Sequence, residues 1–444
     1  MPAVLRLGRA AIHTAVCERA WAQAELDRIA GLGPLPAGLE LEYLRQACEL
    51  HNLFSDSERM KPLLERLLAL SRQTGFPQGT AYGLYYTGLE IINNGNYREA
   101  IATFASALDV EKDLTDAWLL GEIYNDIGFC YRRIGDPGRA EEGYRRSLEI
   151  RERSGNLQGQ AESLSNLGFL KIYQGDLGQA ETLLTRALQL EQRIGDRISS
   201  GYTLVNMGFL AYKRGQFQRS RQYHRRALEL RTALDDHLGQ GHCYLQLRAL
   251  ADVEDDGAEE LRLYNLAYHA FIRAGDATGQ LETKLSFAEY WLNNDRPATC
   301  QRILNRQSTY VETADNDDVR KRHKGLSIMA AIARRDGQGV RDQWGRCETK
   351  RLGSGQTLPE LDTAASVEAF LGNTQHAIEL RERMLAIAER QGDHFSMWRY
   401  RFYLGRLRGP EGRSLVEAAA REFKAMGAAR LARRAEGYLR EQTG

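Results

Sequence analysis

Amides, aromatic rings and cations recur at a fixed interval in this chain, and they are its best candidates for chemistry. Asn166 and Asn206 stand 40 residues apart, Gln246 follows at the same step, and Asp126, with Asn125 beside it, precedes them. Phe129, Phe169 and Phe209 keep the same interval. A primary amide offers two N–H donors and a carbonyl acceptor, so a row of amides can bond the backbone of an extended peptide whatever its side chains are. Arg132, Arg133 and Lys213 lie close to this row, and their cations suit acidic side chains on a partner. Tyr82, Tyr173, Tyr202 and Tyr212 add apolar rings with a polar tip. The chemistry so described is non-covalent capture. A second use of the same residues stays open: amides can bond neighbouring helices within the fold, and cations near a helix C-terminus complement its dipole.

Covalent chemistry has no comparable candidate. No phosphate-binding glycine loop follows a strand-like run, and neither a His-Glu-x-x-His motif nor a nucleophile elbow occurs. The six cysteines, at 17, 48, 130, 243, 300 and 347, form no metal-ligand spacing, so neither zinc nor another metal is expected. They read as reduced thiols of an intracellular protein. His242 and Cys243 are adjacent, which on a helix turns them about 100° apart, so the thiol is expected to be a small buried hydrophobe. Acidic pairs such as Glu141-Glu142 read as a solvated face. No catalytic residue, no cofactor and no enzymatic activity are therefore expected. Two basic stretches, Arg320-Lys321-Arg322-His323-Lys324 and the arginine–aromatic run from Trp398 to Arg408, carry the mixture that suits nucleic acid. The second equally suits an amphipathic helix with snorkelling arginines. A formal net charge of +1 disfavours nucleic acid as a partner.

The elements that must position these residues are themselves periodic. Gly88, Gly128, Gly168 and Gly208 are spaced by 40. Small residues follow each in register, first Ala100, Ala140, Ala180 and Ser220, then Ala107, Ser147, Ala187 and Ala227. Small side chains at fixed helical positions let two helices approach closely. Gly95-Asn96, Gly135-Asp136, Gly175-Asp176 and Gly215-Gln216 mark a turn in each cycle, where glycine ends one helix and asparagine or aspartate can cap the next. Pro137 sits at a first-turn position where proline is tolerated. The second turn, twenty residues away, is marked by Gly75, Gly155, Gly195 and Gly275, but Thr115 and Asp235 interrupt the series. Two helices per cycle follow. Beyond 320 the phase slips, with Gly372-Asn373 and Gly392-Asp393 three residues early.

This pattern resembles the tetratricopeptide repeat in its 40-residue form, as in kinesin light chain and spindle-adaptor proteins. The resemblance is specific over 81–240 and continues through 41–320. It implies an all-α fold, a right-handed α-solenoid of antiparallel helix hairpins, with the first helix of each hairpin lining a concave face. It further implies that Asn125, Asp126, Phe129, Arg132, Asn166, Phe169, Tyr202, Asn206, Phe209, Lys213 and Gln246 contact a peptide. Residues 1–40 are expected to form an N-terminal cap or divergent repeat, 321–397 divergent repeats, and 398–444 a C-terminal cap. Glu254-Asp255-Asp256-Gly257, Asp315-Asn316-Asp317-Asp318 and Gly353-Ser354-Gly355 read as turns within one array.

Length and composition agree with such an array. The chain has 444 residues, too many for one compact core, with 43% hydrophobic and 27% charged residues and only nine prolines. No apolar run approaches the roughly 20 residues that span a bilayer, and the start, MPAVLRLGRAAIHTAV, lacks signal-peptide organisation. A cytoplasmic protein without membrane association is expected. The last segment, with Phe423-Lys424-Ala425-Met426-Gly427 and then Ala432, Ala435 and Leu439, resembles the end of the repeat arms of bacterial signalling ATPases and transcription activators. That resemblance implies a regulatory solenoid. The expected function is an adaptor that holds a protein or peptide, with a sensor arm for a small peptide or metabolite as the alternative. A second copy of the chain remains open as a partner.

Overall fold

A computed structural model describes residues 3–15, 19–53, 56–110, 116–313, 317–345 and 358–442. Thr115, Asp315, Asn316, Gly353, Ser354, Gly355, Cys17 and Cys347 lie outside them. The described residues are all-α, a solenoid of stacked helix hairpins. They divide into two compact units, Met1–Leu170 and Lys171–Gly444.

The first unit holds α1 (Ala3–Ala15), α2 (Arg19–Ala30), α3 (Ala37–Leu53), α4 (Ser57–Thr74), α5 (Pro77–Asn93), α6 (Tyr97–Val110), α7 (Ala117–Arg133), α8 (Pro137–Arg153) and most of α9 (Leu157–Gln174). The second holds α10 (Leu177–Ile194), α11 (Arg197–Lys213), α12 (Phe217–Ala233), α13 (His237–Glu254), α14 (Gly257–Ala274), α15 (Ala277–Asn293), α16 (Pro297–Thr313), α17 (Asp317–Ala333), α18 (Gly337–Gly345), α19 (Leu358–Phe370), α20 (Thr374–Arg390), α21 (His394–Leu407), α22 (Arg413–Met426) and α23 (Ala429–Glu441).

Turn chemistry sets these lengths. Gly75, Gly95, Gly135, Gly155, Gly175, Gly195, Gly215 and Gly275 have φ between +64° and +86°. Asp235, Asp255, Asp295 and Arg335 take the same left-handed conformation, so the turn survives without glycine at these positions of the twenty-residue step. Aspartate does this at modest cost because its short side chain bonds nearby backbone. Asp136, Asp176, Asp196, Asp236, Asp256 and Asp276 then cap the following helices, each accepting a backbone N–H from the first turn.

The repeated small residues, from Ala100 to Ala227, are all fully buried. The glycines of the first helices have a further use. A Cβ on Gly88 would meet Phe104 at 2.3 Å, on Gly128 Tyr144 at 2.8 Å, and on Gly208 His224 at 2.5 Å. Each glycine thus seats a ring from the second helix of its own hairpin, and those rings are fully or nearly fully buried. The cores follow the hairpins, with Leu44, Leu67, Tyr86, Phe104 and Ile123 in one cluster of the first unit and Leu184, Leu204 and Leu210 in one of the second.

Within the second unit the last helices pack far back along the chain. Phe395, Phe402, Val416, Ala419 and Phe423 share a core with Phe217, Leu247, Leu250 and Val253. Phe217, Phe395 and Tyr212 form an edge-to-face trio with centroids 5.1–5.5 Å apart.

Candidate peptide groove

The amide and aromatic positions form one half-buried stripe per unit. In the first unit α7 presents Asp126 and Phe129, and α9 presents Asn166 and Phe169, all partly exposed. Asn125, one residue along α7, is buried at 4% exposure. Its amide donates to Glu162 at 3.1 Å and accepts from Asn166 at 2.9 Å. The two asparagines therefore bond each other across neighbouring first helices, which is the intramolecular use left open by the sequence.

That bond ends a longer chain of polar contacts. Arg151 of α8 is fully buried. Its guanidinium donates to Gly159 O at 3.0 Å and Ser163 Oγ at 2.9 Å, and pairs with Glu122 at 2.6 Å and Glu162 at 3.1 Å. A buried arginine is tolerable only when it is paired and hydrogen-bonded in this way. Burial and the neighbouring Glu162 push the Glu122 carboxyl up to about 7. The Asp126 carboxyl is raised well above its ordinary value by burial, then by Glu122 and Glu162. Arg132 stands 5.0 Å from the Phe129 centroid and 5.1 Å from that of Phe169, a cation held by two rings from successive first helices.

In the second unit α11 carries Tyr202, Asn206, Phe209 and Lys213, and α13 carries Gln246. Asn206, Phe209, Lys213 and Gln246 are half-buried. Lys213 Nζ lies 5.5 Å from the Phe209 centroid, and Tyr173 packs against the same ring at 6.0 Å. Asp393 accepts from the lysine at 2.5 Å. Tyr202 is exposed, and its ring carries the Arg231 guanidinium at 3.7 Å. Arg231 is itself buried and paired with Asp236.

The buried arginines were missed in the sequence, although a signal exists. Arg151, Glu191, Arg231 and Phe271 occupy one repeat position, and all are buried. Gly121 and Gly159 make room for Arg151, as Gly201 and Gly239 do for Arg231. Glycine pairs and arginines that share an 80-residue step mark a buried cation.

The other chemical candidates resolve into structural contacts. Arg322 pairs with Glu289 at 2.8 Å, Lys321 with Glu360 at 3.5 Å, and His323 Nε2 meets Leu304 O at 3.0 Å. In the arginine–aromatic run Tyr400 and Phe402 are buried, while Arg401 pairs with Glu389 and Arg408 with Glu382. These contacts match the amphipathic-helix description. Cys48, Cys130, Cys243 and Cys300 are buried free thiols, and burial pushes each up to about 11 or 12. Such thiols are poor nucleophiles. Among the described residues no group of three or more His, Cys, Asp or Glu side chains could hold a metal ion, and no helix is long and apolar enough to cross a membrane.

Comparison with known proteins agrees with this architecture. Residues 119–193 and 201–237 each match a family model described as tetratricopeptide repeat. The photosystem I assembly protein Ycf3 of Parasynechococcus marenigrum (strain WH8102) is 33% identical over 90 residues, 20% of this chain and 48% of that protein. Its counterpart in Synechococcus sp. (strain CC9605) is 32% identical over 90 residues, with the same coverage. The chain thus spans about half the length of the curated relatives it matches. Among solved structures, a Rap protein complexed with competence and sporulation factor superposes with a TM-score of 0.51 at 13% identity, covering 94% of this chain and 98% of that one. A signal transduction ATPase with numerous domains and a tetratricopeptide repeat sensor, from Pyrococcus horikoshii, gives 0.53 at 13% identity, covering 80% and 55%. Aspartyl phosphate phosphatase F from Bacillus subtilis gives 0.50 at 14%, covering 77% and 90%. At these identities the likeness establishes the fold.

Proposed function

We propose that this chain of tetratricopeptide repeats is a non-enzymatic scaffold or regulatory adaptor of the bacterial cytoplasm, which holds a peptide segment of a partner protein along the first helices of its hairpins. The observation that carries this reading is the stripe within each unit. In the first, Asp126 and Asn166 share one repeat position and Phe129 and Phe169 another; in the second, Asn206 and Gln246 share the amide position beside Phe209; all seven side chains are half-buried. Half-burial fixes a side chain while leaving polar atoms at the surface. An amide that donates one hydrogen bond, as Asn166 does to Asn125, keeps a carbonyl acceptor and a second N–H for a peptide backbone.

The test is affinity capture from the native host with the wild-type chain and with Asn166→Ala and Asn206→Ala. A retained partner should be lost or weakened about tenfold, the scale of one or two hydrogen bonds, with the helical circular dichroism unchanged. Undiminished capture by both variants removes the amides from the site.

One observation favours a second reading, a sensor arm. In the second unit Asp393 already holds Lys213 beside Phe209. An acidic peptide or metabolite at Phe209 would compete with that carboxylate and bias the last helices. It should raise the unfolding temperature of purified protein by mass action.

A further inference from the structure

Arginines inside the second unit come with carboxylates. Arg248 pairs with Glu260 at 2.8 Å, Arg322 with Glu289 at 2.8 Å, and the buried Arg381 with Asp362. Arg399 of α21 is an exception. It is half-buried, and its guanidinium donates to the hydroxyl of its own neighbour Tyr400 at 3.2 Å. Its Nε–H is buried with no acceptor, and no carboxylate among the described residues pairs with it. Arg248 and Arg381 also leave Nε without an acceptor, but there the ends of the fork hold a carboxylate. Five N–H donors of Arg399 thus share one tyrosine oxygen.

The neighbours show which way the fork turns. Phe395, Arg399 and Tyr403 stand four residues apart on α21 and so share one face. Phe395 packs on Tyr212 of α11 with centroids 5.5 Å apart. Burial raises the Tyr212 hydroxyl above its ordinary value, and Arg399 is the first charge to oppose that rise. Burial also works against the Glu289 carboxylate of α15, yet Arg322, Arg248 and Arg399 together hold its carboxyl below the usual range. Arg399 therefore turns toward α11 and α15, into a space where Glu260, Glu289 and Asp362 are each matched by another arginine. One positive charge is left over. A guanidinium withdrawn from water without a counter-ion is costly, and a ligand carboxylate supplies two acceptors in the planar geometry that the fork matches.

We propose that Arg399 holds a singly charged carboxylate, with the apolar body of the ligand against the half-buried rings of Tyr212 and Tyr403. A dianion would bring a second negative charge toward Glu289 and Asp362, and a neutral molecule would leave the guanidinium unpaired. Two sources offer this chemistry, a free organic acid and the C-terminal carboxylate of a peptide. The site needs neither the amide stripe nor displacement of Asp393 from Lys213, so its failure and theirs are separable.

The test is calorimetric titration of the full chain with 3-phenylpropionate and with acetyl-Gly-Gly-Phe, whose terminal carboxylate is free. 3-Phenylpropionamide and phenyl phosphate serve as neutral and doubly charged counterparts. The tighter carboxylate should bind with a Kd on the order of 1 mM or below, and the two counterparts should bind at least about tenfold more weakly. Tighter binding of the peptide than of 3-phenylpropionate assigns the source to a peptide, and equal or weaker binding assigns it to a free acid. Arg399→Gln should weaken the carboxylate at least about tenfold, the scale of a charge-assisted pair. Arg399→Lys should weaken it less, since an ammonium keeps the charge but not the fork. Without ligand, Arg399→Gln should unfold no earlier than wild type, because the free protein gives this cation no carboxylate to lose. Four results overturn the proposal: no heat from either carboxylate, a counterpart binding as well as 3-phenylpropionate, full carboxylate affinity in Arg399→Gln, or an Arg399→Gln chain that unfolds well before wild type, which would make the arginine structural.

Discussion

The ammonium of Lys213 meets the carboxylate of Asp393 at 2.5 Å, although 180 positions separate them in the chain. Asp393 is 2% exposed, and its other oxygen caps α21 through Ser396 N at 2.9 Å. Around this pair the last helices touch the ends of successive first helices. Gln391 donates to Tyr173 O at 3.3 Å, Arg430 pairs with Asp252 at 2.6 Å and Asp255 at 3.0 Å, and Arg434 donates to Asn293 O at 3.1 Å. Residues 173, 213, 252–255 and 293 fall at one repeat position. The return of the chain is therefore registered on the repeat, one contact per hairpin.

Replacing Lys213 with methionine should leave Asp393 buried and uncompensated, at a cost of about 2–4 kcal/mol. Lys213→Met/Asp393→Asn should recover part of that loss, because the amide still accepts the cap bond. Urea unfolding of the single and double variants measures the difference. Hydrogen exchange across 394–441 should rise in the single variant. Equal stability of wild type and Lys213→Met would show that the pair holds nothing in place.

Two glycines of the turn series should respond very differently to alanine. Gly155 has φ +71° and open space where a Cβ would stand, so Gly155→Ala bears only the left-handed backbone penalty, about 1–2 kcal/mol. Gly175 has φ +86°, and a Cβ there would lie 2.1 Å from Gln391 Cα, a backbone atom that cannot swing aside. Gly175→Ala should cost at least about twice as much and should loosen α21. Thermal unfolding of both variants decides it, and matching losses would count against a close approach at Gly175.

His224 supplies the pH dependence whose sign is clearest. Burial lowers its imidazole to about 4, against an ordinary value of 6.5. The folded state then binds fewer protons than the unfolded state between those values. Its contribution is fully present above the unfolded pKa, falls as pH drops through 6.5, and is gone below about 4. The loss is on the order of 3 kcal/mol. Phe104 and Tyr144 occupy the same repeat position over Gly88 and Gly128, so His224→Phe should fit over Gly208. The variant should match wild type or exceed it at neutral pH and keep that stability at about pH 4.5. A wild-type-like acid loss in the variant would place the titration elsewhere.

The fold was largely legible in the sequence because a repeat writes the same constraints several times. Gly88, Gly128 and Gly208, the small residues twelve and nineteen positions on, and the left-handed turns at twenty-residue steps all lie where the pattern puts them. Asp235 and Asp255 broke the glycine marks without breaking the turn, since side-chain chemistry can replace the missing glycine. The groove was legible only as positions. Which partner Asn166 or Lys213 takes depends on Asn125 and Asp393, and one of those lies 180 residues away, beyond any local pattern. The buried Arg151 and Arg231 were hidden because a charged residue reads by default as solvated.

Arg151 offers the sharpest test of the first unit. It is fully buried and bridges α7 and α9 through Glu122, Glu162, Gly159 O and Ser163. Arg151→Met keeps much of the volume and removes the charge. At about pH 8, above the value at which Glu122 titrates beside the arginine, the variant should lose about 3–5 kcal/mol. Glu122 already titrates at about 7 beside the arginine, and without it the carboxyl rises further. A raised carboxyl is penalised above its folded pKa and relieved below it, so the loss should shrink when the measurement is repeated at about pH 5. Arg151→Lys should fall between, since an ammonium keeps the charge but not the fork that reaches both carboxylates. Urea unfolding at the two pH values gives the comparison. The same loss at both would mean that Arg151 acts through packing and its bonds to Gly159 and Ser163, with no contribution from the carboxylates it separates.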